Sequence, residues 1–233
     1  MTPLSVVCFK WYDPAFEKNA HYVYTARHVN ILRRMLARHL AAPHELVCVT
    51  DDAAGIDPAV RIVALPPAVA GFGPYYPKLY AFHPDAATLF GPRIVLIDLD
   101  CVIVRPLDAL LDRPEPFVAW ETARPTPDRL ARFNTSLVLM DGGRFAEVWR
   151  RFDPAASPAE SDAAGFERGD QGWVSYALGN AGASWPKTGG GIESFTPLGG
   201  RLPASARIVF FNGRSCPDMA KCQAVAWVRE HWR

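Results

Sequence analysis

The sequence predicts an α/β fold, a single domain over residues 1–233 built on a mostly parallel central sheet. Three observations carry this expectation. The first 65 residues run strand, helix, strand, strand at βαβ spacing. The run Arg93–Leu99 (RIVLIDL) is apolar almost throughout, as a strand buried on both faces at the centre of a sheet must be. Finally, 233 residues that are 49% hydrophobic and 21% charged suffice for one sizeable core, and no stretch reads as an interdomain linker.

Leu4–Phe9 is a short apolar first strand. Tyr24–Leu40 follows as an amphipathic helix, with Val29, Leu32, Leu36 and Leu40 in one stripe and Arg27, Arg34 and Arg38 facing away. Glu45–Thr50 and Val60–Leu65 are the next strands, the latter stopped by Pro66-Pro67. Pro66–Pro77 reads as a loop and Pro77–Phe82 as a short helix. After Arg93–Leu99, the segment Val102–Val104 is extended again, and Pro116–Trp120 and Thr135–Met140 are further strands. Phe145, Val148, Trp149 and Phe152 fall at helical spacing before Asp153-Pro154. Asp170–Leu178 is helical with Trp173, Val174, Ala177 and Leu178 inward. Ala206–Phe211 is a late strand and Gln223–Trp232 a terminal helix. Asp153–Gly169 and Trp185–Ser205 read as long loops, and loops of that length tend to be functional lids or disordered.

A net charge of +1 gives no basic excess of the kind nucleic-acid binders carry. No apolar run is long enough to span a bilayer, and the N-terminus enters a strand directly, so a cytoplasmic location is expected, with peripheral attachment to the inner membrane face as a variant of it. The five cysteines are an odd number, which favours a reducing compartment. Cys8, Cys48 and Cys101 sit in strand-like runs as small buried hydrophobes, and the spacing of Cys216 and Cys222 matches no common zinc pattern.

Asp98-Leu99-Asp100 ends the central strand. Alternation points both carboxylates to one side and Leu99 into the core. Ligands of open α/β sheets bind beyond the carboxyl ends of the strands, where two hard oxygen donors suit Mg²⁺ or Mn²⁺ bridging a diphosphate. The same short pattern also occurs as the nucleophile motif of dehalogenase-type phosphatases, where it belongs to the first strand.

A longer stretch is more specific. Tyr76-Pro-Lys78-Leu, then Arg93 to Asp100, then Leu107-Asp-Ala-Leu110 resemble the core of family 8 glycosyltransferases and related bacterial sugar transferases of GT-A fold. Phe133-Asn134-Thr135-Ser136, Asp170-Gln171-Gly172 and Arg207–Arg214 are similar, in order, to that group's later blocks. The resemblance implies transfer of a sugar from a nucleotide-diphosphate donor, most simply a UDP-sugar, to a hydroxyl of a glycan or lipid-linked acceptor, with retained configuration and Mn²⁺ or Mg²⁺ as cofactor. Asp98 and Asp100 would hold the metal. Lys78 would approach the donor phosphates or steady Asp98. Asn134 would hydrogen-bond the donor sugar, Asp170 its hydroxyls, and Gln171 would lie by the anomeric carbon. Asp170 is also placed to be a helix N-cap. Gly213 and Arg214 would meet the diphosphate.

The sequence departs from the group where a histidine completes the metal site. Phe210 or Asn212 stands at that position, according to alignment, and the group's following Lys-Pro-Trp reads Cys216-Pro217-Asp218; an amide oxygen of Asn212 is a weaker ligand than an imidazole. A member of the fold that binds nucleotide sugars without turnover is therefore the alternative reading.

Overall fold

The computed structural model describes residues 3–18, 23–121, 132–211 and 215–233. Its strands are β1 (Leu4–Lys10), β2 (His44–Thr50), β3 (Arg61–Ala64), β4 (Arg93–Ile97), β5 (Cys101–Ile103), β6 (Phe117–Glu121), β7 (Phe133–Asp141), β8 (Ala183–Trp185), β9 (Ile192–Ser194) and β10 (Ile208–Phe210). The α-helices are α1 (Ala26–His39), α2 (Pro67–Ala70), α3 (Ala86–Leu89), α4 (Asp108–Leu111), α5 (Glu147–Arg150), α6 (Ser157–Ala163), α7 (Asp170–Leu178), α8 (Ala220–Gln223) and α9 (Ala226–His231). A 3-10 segment spans Tyr76–Phe82.

Seven strands form the main sheet in the order β3-β2-β1-β4-β7-β6-β8. β3, β2, β1 and β4 are mutually parallel, β7 is antiparallel to both its neighbours, and β8 runs parallel to β6. A small second sheet, β5-β10-β9, continues from the end of β4. The expected mostly parallel α/β domain is thus present.

Strand alternation divides the core between the two faces of the sheet. Val6, Cys8, Leu46, Cys48, Val95 and Ile97 pack on one side with Val29, Leu32 and Leu36 of α1 and with the small sheet. Val7, Phe9, Val47, Val49, Ile94 and Leu96 pack on the other with Leu79, Phe82, Val148, Trp173 and Val174. Both faces are covered, so the central strands read as unbroken apolar runs.

Several expectations change in detail. Asp153–Gly169 contains α6, and Trp185–Ser205 contains β9 and a 3-10 turn at Thr196–Leu198, so neither is loop throughout. Pro66–Pro77 contains α2. The helix expected around Phe145–Phe152 is only the short α5. The terminal helix is broken, because Val225 is extended (φ −77°, ψ 120°) between α8 and α9. The extended segment expected at Val102–Val104 is present as β5, which leaves the main sheet to pair antiparallel with β10.

Candidate functional site

The main sheet ends at Ile97, one residue before the paired acids. The Asp98 N–H donates to Ser136 C=O at 3.0 Å, and the Phe211 N–H donates to Asp100 C=O at 2.8 Å. Asp98-Leu99-Asp100 is therefore the seam between the two sheets rather than the end of a strand. The predicted alternation still holds: Leu99 is 2% exposed in the core, and both carboxylates line one cavity.

The cavity lies past the carboxyl ends of β1 and β4, where an open α/β sheet places ligands. One part is aromatic, from Phe9, Trp11, Phe16 and Tyr24; the other is polar, from Lys78, Asp98, Asp100, Thr135, Ser136, Asp170 and Gln171. A hollow at the opposite end of the sheet offers less chemistry. Its Arg93 and Asp141 pair with each other at 2.8 Å, and Asp108 accepts the Ala41 and Ala42 N–H groups.

Lys78 is the electrostatic centre of the polar part. Its Nζ lies 2.8 Å from Asp98 Oδ1 and 3.0 Å from Asp170 Oδ2, with its side chain only 14% exposed. Burial works against its charge, but the Asp170 and Asp98 carboxylates outweigh burial and push its pKa above the ordinary lysine value. Thr135 Oγ1 donates to Asp170 Oδ2 at 2.5 Å, so two donors converge on that oxygen. Asp100 has no such cation. Burial first, and the neighbouring Asp98 second, push its carboxyl well above the usual carboxylate range, although Lys78 and a hydrogen bond from Tyr24 oppose this.

Three carboxylates, Asp98, Asp100 and Asp170, thus share one ammonium group in a half-buried site, a net charge of two negative only when Asp100 is ionised against the burial that opposes it. A divalent cation between Asp98 and Asp100 would balance them, and hard oxygen donors are the set that Mg²⁺ or Mn²⁺ prefers. The residues present fit the metal that the resemblance implies. Asn212, the expected third ligand, and Gly213 and Arg214, the expected diphosphate contacts, lie outside the described residues.

Gly169 (φ 112°) is the N-cap of α7, so Asp170 occupies the first helical position instead of capping. Tyr76 Oη accepts the Gly169 N–H at 3.2 Å and pins this turn. Gln171 lines the cavity while its amide donates to Glu167 Oε2 at 2.6 Å. Gly172 is required on steric grounds: a Cβ there would lie 1.6 Å from the Glu167 carbonyl oxygen. Asp170-Gln171-Gly172 is therefore two cavity residues followed by the only residue type that fits behind them.

Asn134 is not brought to the cavity. Its Oδ1 accepts the Ser136 N–H at 2.8 Å. The β6–β7 register jumps here, from Ala119 facing Val138 to Trp120 facing Asn134, and the bulge turns Thr135 and Ser136 toward the site. Asn134 holds the bulge that presents its neighbours. Sequence reasoning missed Thr135 and also Trp11, whose buried indole Nε1 has no hydrogen-bond partner among the described residues. The position of Trp11 just past a parallel strand is a signal that could have found it.

The fold has clear solved counterparts. A galactosyltransferase, LgtC, solved with donor and acceptor sugar analogues, superposes with a TM-score of 0.63 at 14% identity, covering 96% of this chain and 93% of that one. An active-site Gln-to-Glu mutant of LgtC matches equally, at TM-score 0.63 and 14% identity over 96% and 93%. The glycosyltransferase GlyE of Streptococcus pneumoniae gives a TM-score of 0.61 at 14% identity, covering 93% of this chain and 57% of that protein. No family model and no curated protein sequence matches the chain. The chain has the GT-A fold of these glycosyltransferases.

Proposed function

We propose that the protein is a glycosyltransferase that moves a sugar from a nucleotide diphosphate, most simply UDP, to an acceptor hydroxyl. The observation that carries the reading is the acidic, half-buried site of Asp98, Asp100, Asp170 and Lys78 at the carboxyl end of a GT-A sheet. LgtC, which shares the fold, was solved with donor and acceptor sugar analogues.

The two parts of the cavity divide the work. Phe9, Phe16 and Tyr24 offer apolar surface for a base, and the orphan Trp11 N–H can donate to a base carbonyl, removing the cost of an unpaired buried donor. Asp98 and Asp100 would hold Mn²⁺ or Mg²⁺, which supplies Lewis-acid stabilisation of the leaving diphosphate. Lys78 adds a fixed positive charge on the same side and holds Asp98 and Asp170 in place. The carboxylate of Asp170, fixed by Thr135 and Lys78, would accept hydrogen bonds from donor-sugar hydroxyls. Gln171 would sit by the anomeric carbon; as a neutral amide it is no strong nucleophile. A front-face displacement therefore suits the site better than a covalent intermediate. The acceptor oxygen bonds to the anomeric carbon, the bond to the diphosphate oxygen breaks, and the acceptor proton passes to the leaving diphosphate, with configuration retained.

A phosphatase of dehalogenase type fits less well, since its acid motif belongs to the first strand and here follows the fourth, β4. Among the described residues no helix is long and apolar enough to cross a membrane. The test is calorimetric titration of UDP with and without Mn²⁺, followed by UDP release from a panel of UDP-sugars. Metal-dependent UDP binding lost in Asp100→Ala is expected. Equal UDP binding with and without metal would overturn the assignment. Binding without release of UDP from any sugar donor would favour the non-catalytic alternative.

A further inference from the structure

A second cluster of ligating side chains adjoins the acids that line the cavity, joined to them by Tyr24, which hydrogen-bonds Asp100 and packs against His28. His28 on the first turn of α1 meets Cys216 and Asp218, which lie 188 and 190 positions downstream, on the chain between β10 and α8. His28 Nε2 lies 3.7 Å from Cys216 Sγ and 3.5 Å from Asp218 Oδ2, and the Cys216 and Asp218 side chains hydrogen-bond each other. One ligand atom from each of the three lies within 4.8 Å of the others.

We infer that His28, Cys216 and Asp218 form a binding site for Zn²⁺, with solvent at the fourth position. Tetrahedral zinc with ordinary Zn–N, Zn–S and Zn–O bond lengths separates its ligand atoms by about 3.4–3.6 Å. The observed 3.7 Å and 3.5 Å are already close to those edges, so the two edges that meet at His28 need little adjustment, and the third lies within 4.8 Å. The donor set is one imidazole, one thiolate and one carboxylate, softer than the all-oxygen set at Asp98 and Asp100, and so selects a different metal. Charge also balances: a divalent ion with one thiolate and one carboxylate is neutral, which suits a site where His28 and Cys216 are buried.

The surroundings support binding. Tyr24 and Trp232 pack edge-on against the His28 ring at 5.4 Å and 5.6 Å, fixing its plane. The other ring nitrogen, Nδ1, is 3.1 Å from the Thr25 N–H and 3.2 Å from Thr25 Oγ1. In the metal-free protein Nδ1 accepts from that N–H, so Nε2 carries the proton. On binding, the proton moves to Nδ1, which gives up the Thr25 N–H and donates instead to Thr25 Oγ1, an outer-shell contact that orients a metal-bound histidine. The Cys216 thiol loses its proton to solvent as the Zn–S bond forms. Asp218 is on the exposed side of the cluster, which leaves an entry path. The bound ion would clamp the start of α1 to the chain that follows Arg214.

The test uses the full-length protein stripped of metal with a chelator and titrated with Co²⁺. Expected is a thiolate-to-cobalt charge-transfer band with tetrahedral d–d absorption, saturating at one equivalent and bleached by Zn²⁺. Cys216→Ser should lose the charge-transfer band. Asp218→Asn, a change on the exposed side that should leave folding intact, should weaken Co²⁺ binding at least tenfold. Asp98→Asn/Asp100→Asn should keep the band, which separates this site from the proposed catalytic metal. Absence of the band in the wild type would overturn the inference and leave the cluster a hydrogen-bonded staple. So would an undiminished signal in Asp218→Asn.

Discussion

Lys78→Met removes the ammonium group and keeps most of the stem volume, so it isolates the charge that binds the site together. Lys78 Nζ lies 2.8 Å from Asp98 and 3.0 Å from Asp170, and the exposed fractions of the three side chains are 14%, 21% and 11%. At that burial, solvent screening does not reduce the pairs to surface value. With an effective dielectric constant of about 20, each pair attracts by about 5–6 kcal/mol before desolvation is charged against it. Removing one partner of such a buried pair typically costs about 3–5 kcal/mol, because the remaining carboxylates stay buried without a counter-charge. In a domain of this size that loss corresponds to a fall in Tm of about 6–20 °C.

Urea unfolding at pH 7 without metal measures the loss. Calorimetry with Mn²⁺ supplies a second reading of opposite sign. With the ammonium group gone, three carboxylates face the cation unopposed, so Mn²⁺ affinity should rise on the order of tenfold, about 1.4 kcal/mol. UDP affinity in saturating Mn²⁺ should nevertheless fall, because Lys78 no longer approaches the diphosphate. A stability loss below about 1 kcal/mol would mean the pairs behave as surface salt bridges, refuting the electrostatic account. Weaker Mn²⁺ binding would refute the claim that Lys78 and the metal share the same negative charge.

Asp100→Asn should stabilise the metal-free protein at neutral pH. Its carboxyl is raised by burial and by Asp98, so the folded state resists ionising it. The penalty grows as pH climbs above the unfolded value of about 4, and the variant's gain in Tm should vanish as pH falls to that value. A gain independent of pH would contradict this. Gly172→Ala should cost at least about 2 kcal/mol, since the new Cβ would lie 1.6 Å from the backbone oxygen of Glu167 and α7 must shift; an unchanged urea midpoint would show that the turn yields freely. Trp11→Phe should leave metal-free stability within about 1 kcal/mol, as its N–H has no partner to lose, yet weaken UDP binding about fivefold or more. Equal UDP affinity would remove Trp11 from the base-binding end.

What could be read from the sequence is what depends on local periodicity. Ile94 to Ile97 packs alternately on the two faces of the sheet, and that continuous burial is why the run identified the central strand. Asp98 and Asp100 shared a side because Leu99 had to go inward, which needs only the two-residue period. Asp170 and Gln171 were legible as the start of a helix. What failed depends on partners distant in the chain. The shift opposite Trp120 is set by β6 and β7 together, so nothing in Phe133–Ser136 alone shows that Asn134 would serve the bulge and Thr135 the site. β9 is three residues beside Gly189-Gly190-Gly191 and exists because β10 pairs with it. The break at Val225 carries no glycine or proline signal; the indole of Trp227 in α9 donates to Gly200 at 3.0 Å, a contact no helical pattern encodes. His28 and Cys216 are 188 positions apart, so no spacing rule for zinc could join them.

The same distinction bears on the missing histidine. A motif comparison weighs one residue at position 212 and finds the metal site impaired. The geometry weighs charge, and that is a property of the whole site. Lys78 is committed to Asp98 and Asp170, while Asp100 is left with Tyr24 as its hydrogen-bond donor and a carboxyl that burial and Asp98 push toward protonation. An ion that binds Asp100 relieves that strain, and this contribution to affinity does not depend on a third protein ligand. Loss of an imidazole should therefore weaken metal binding without abolishing it. Replacing Asp100 should abolish it even if a histidine were restored at 212. Mn²⁺ titration of Asn212→His, Asp100→Ala and the double variant decides the point. Tighter binding in the first and none in the other two is expected. Binding rescued in the double variant would mean that the ligand at 212, and not the buried acids, governs the site.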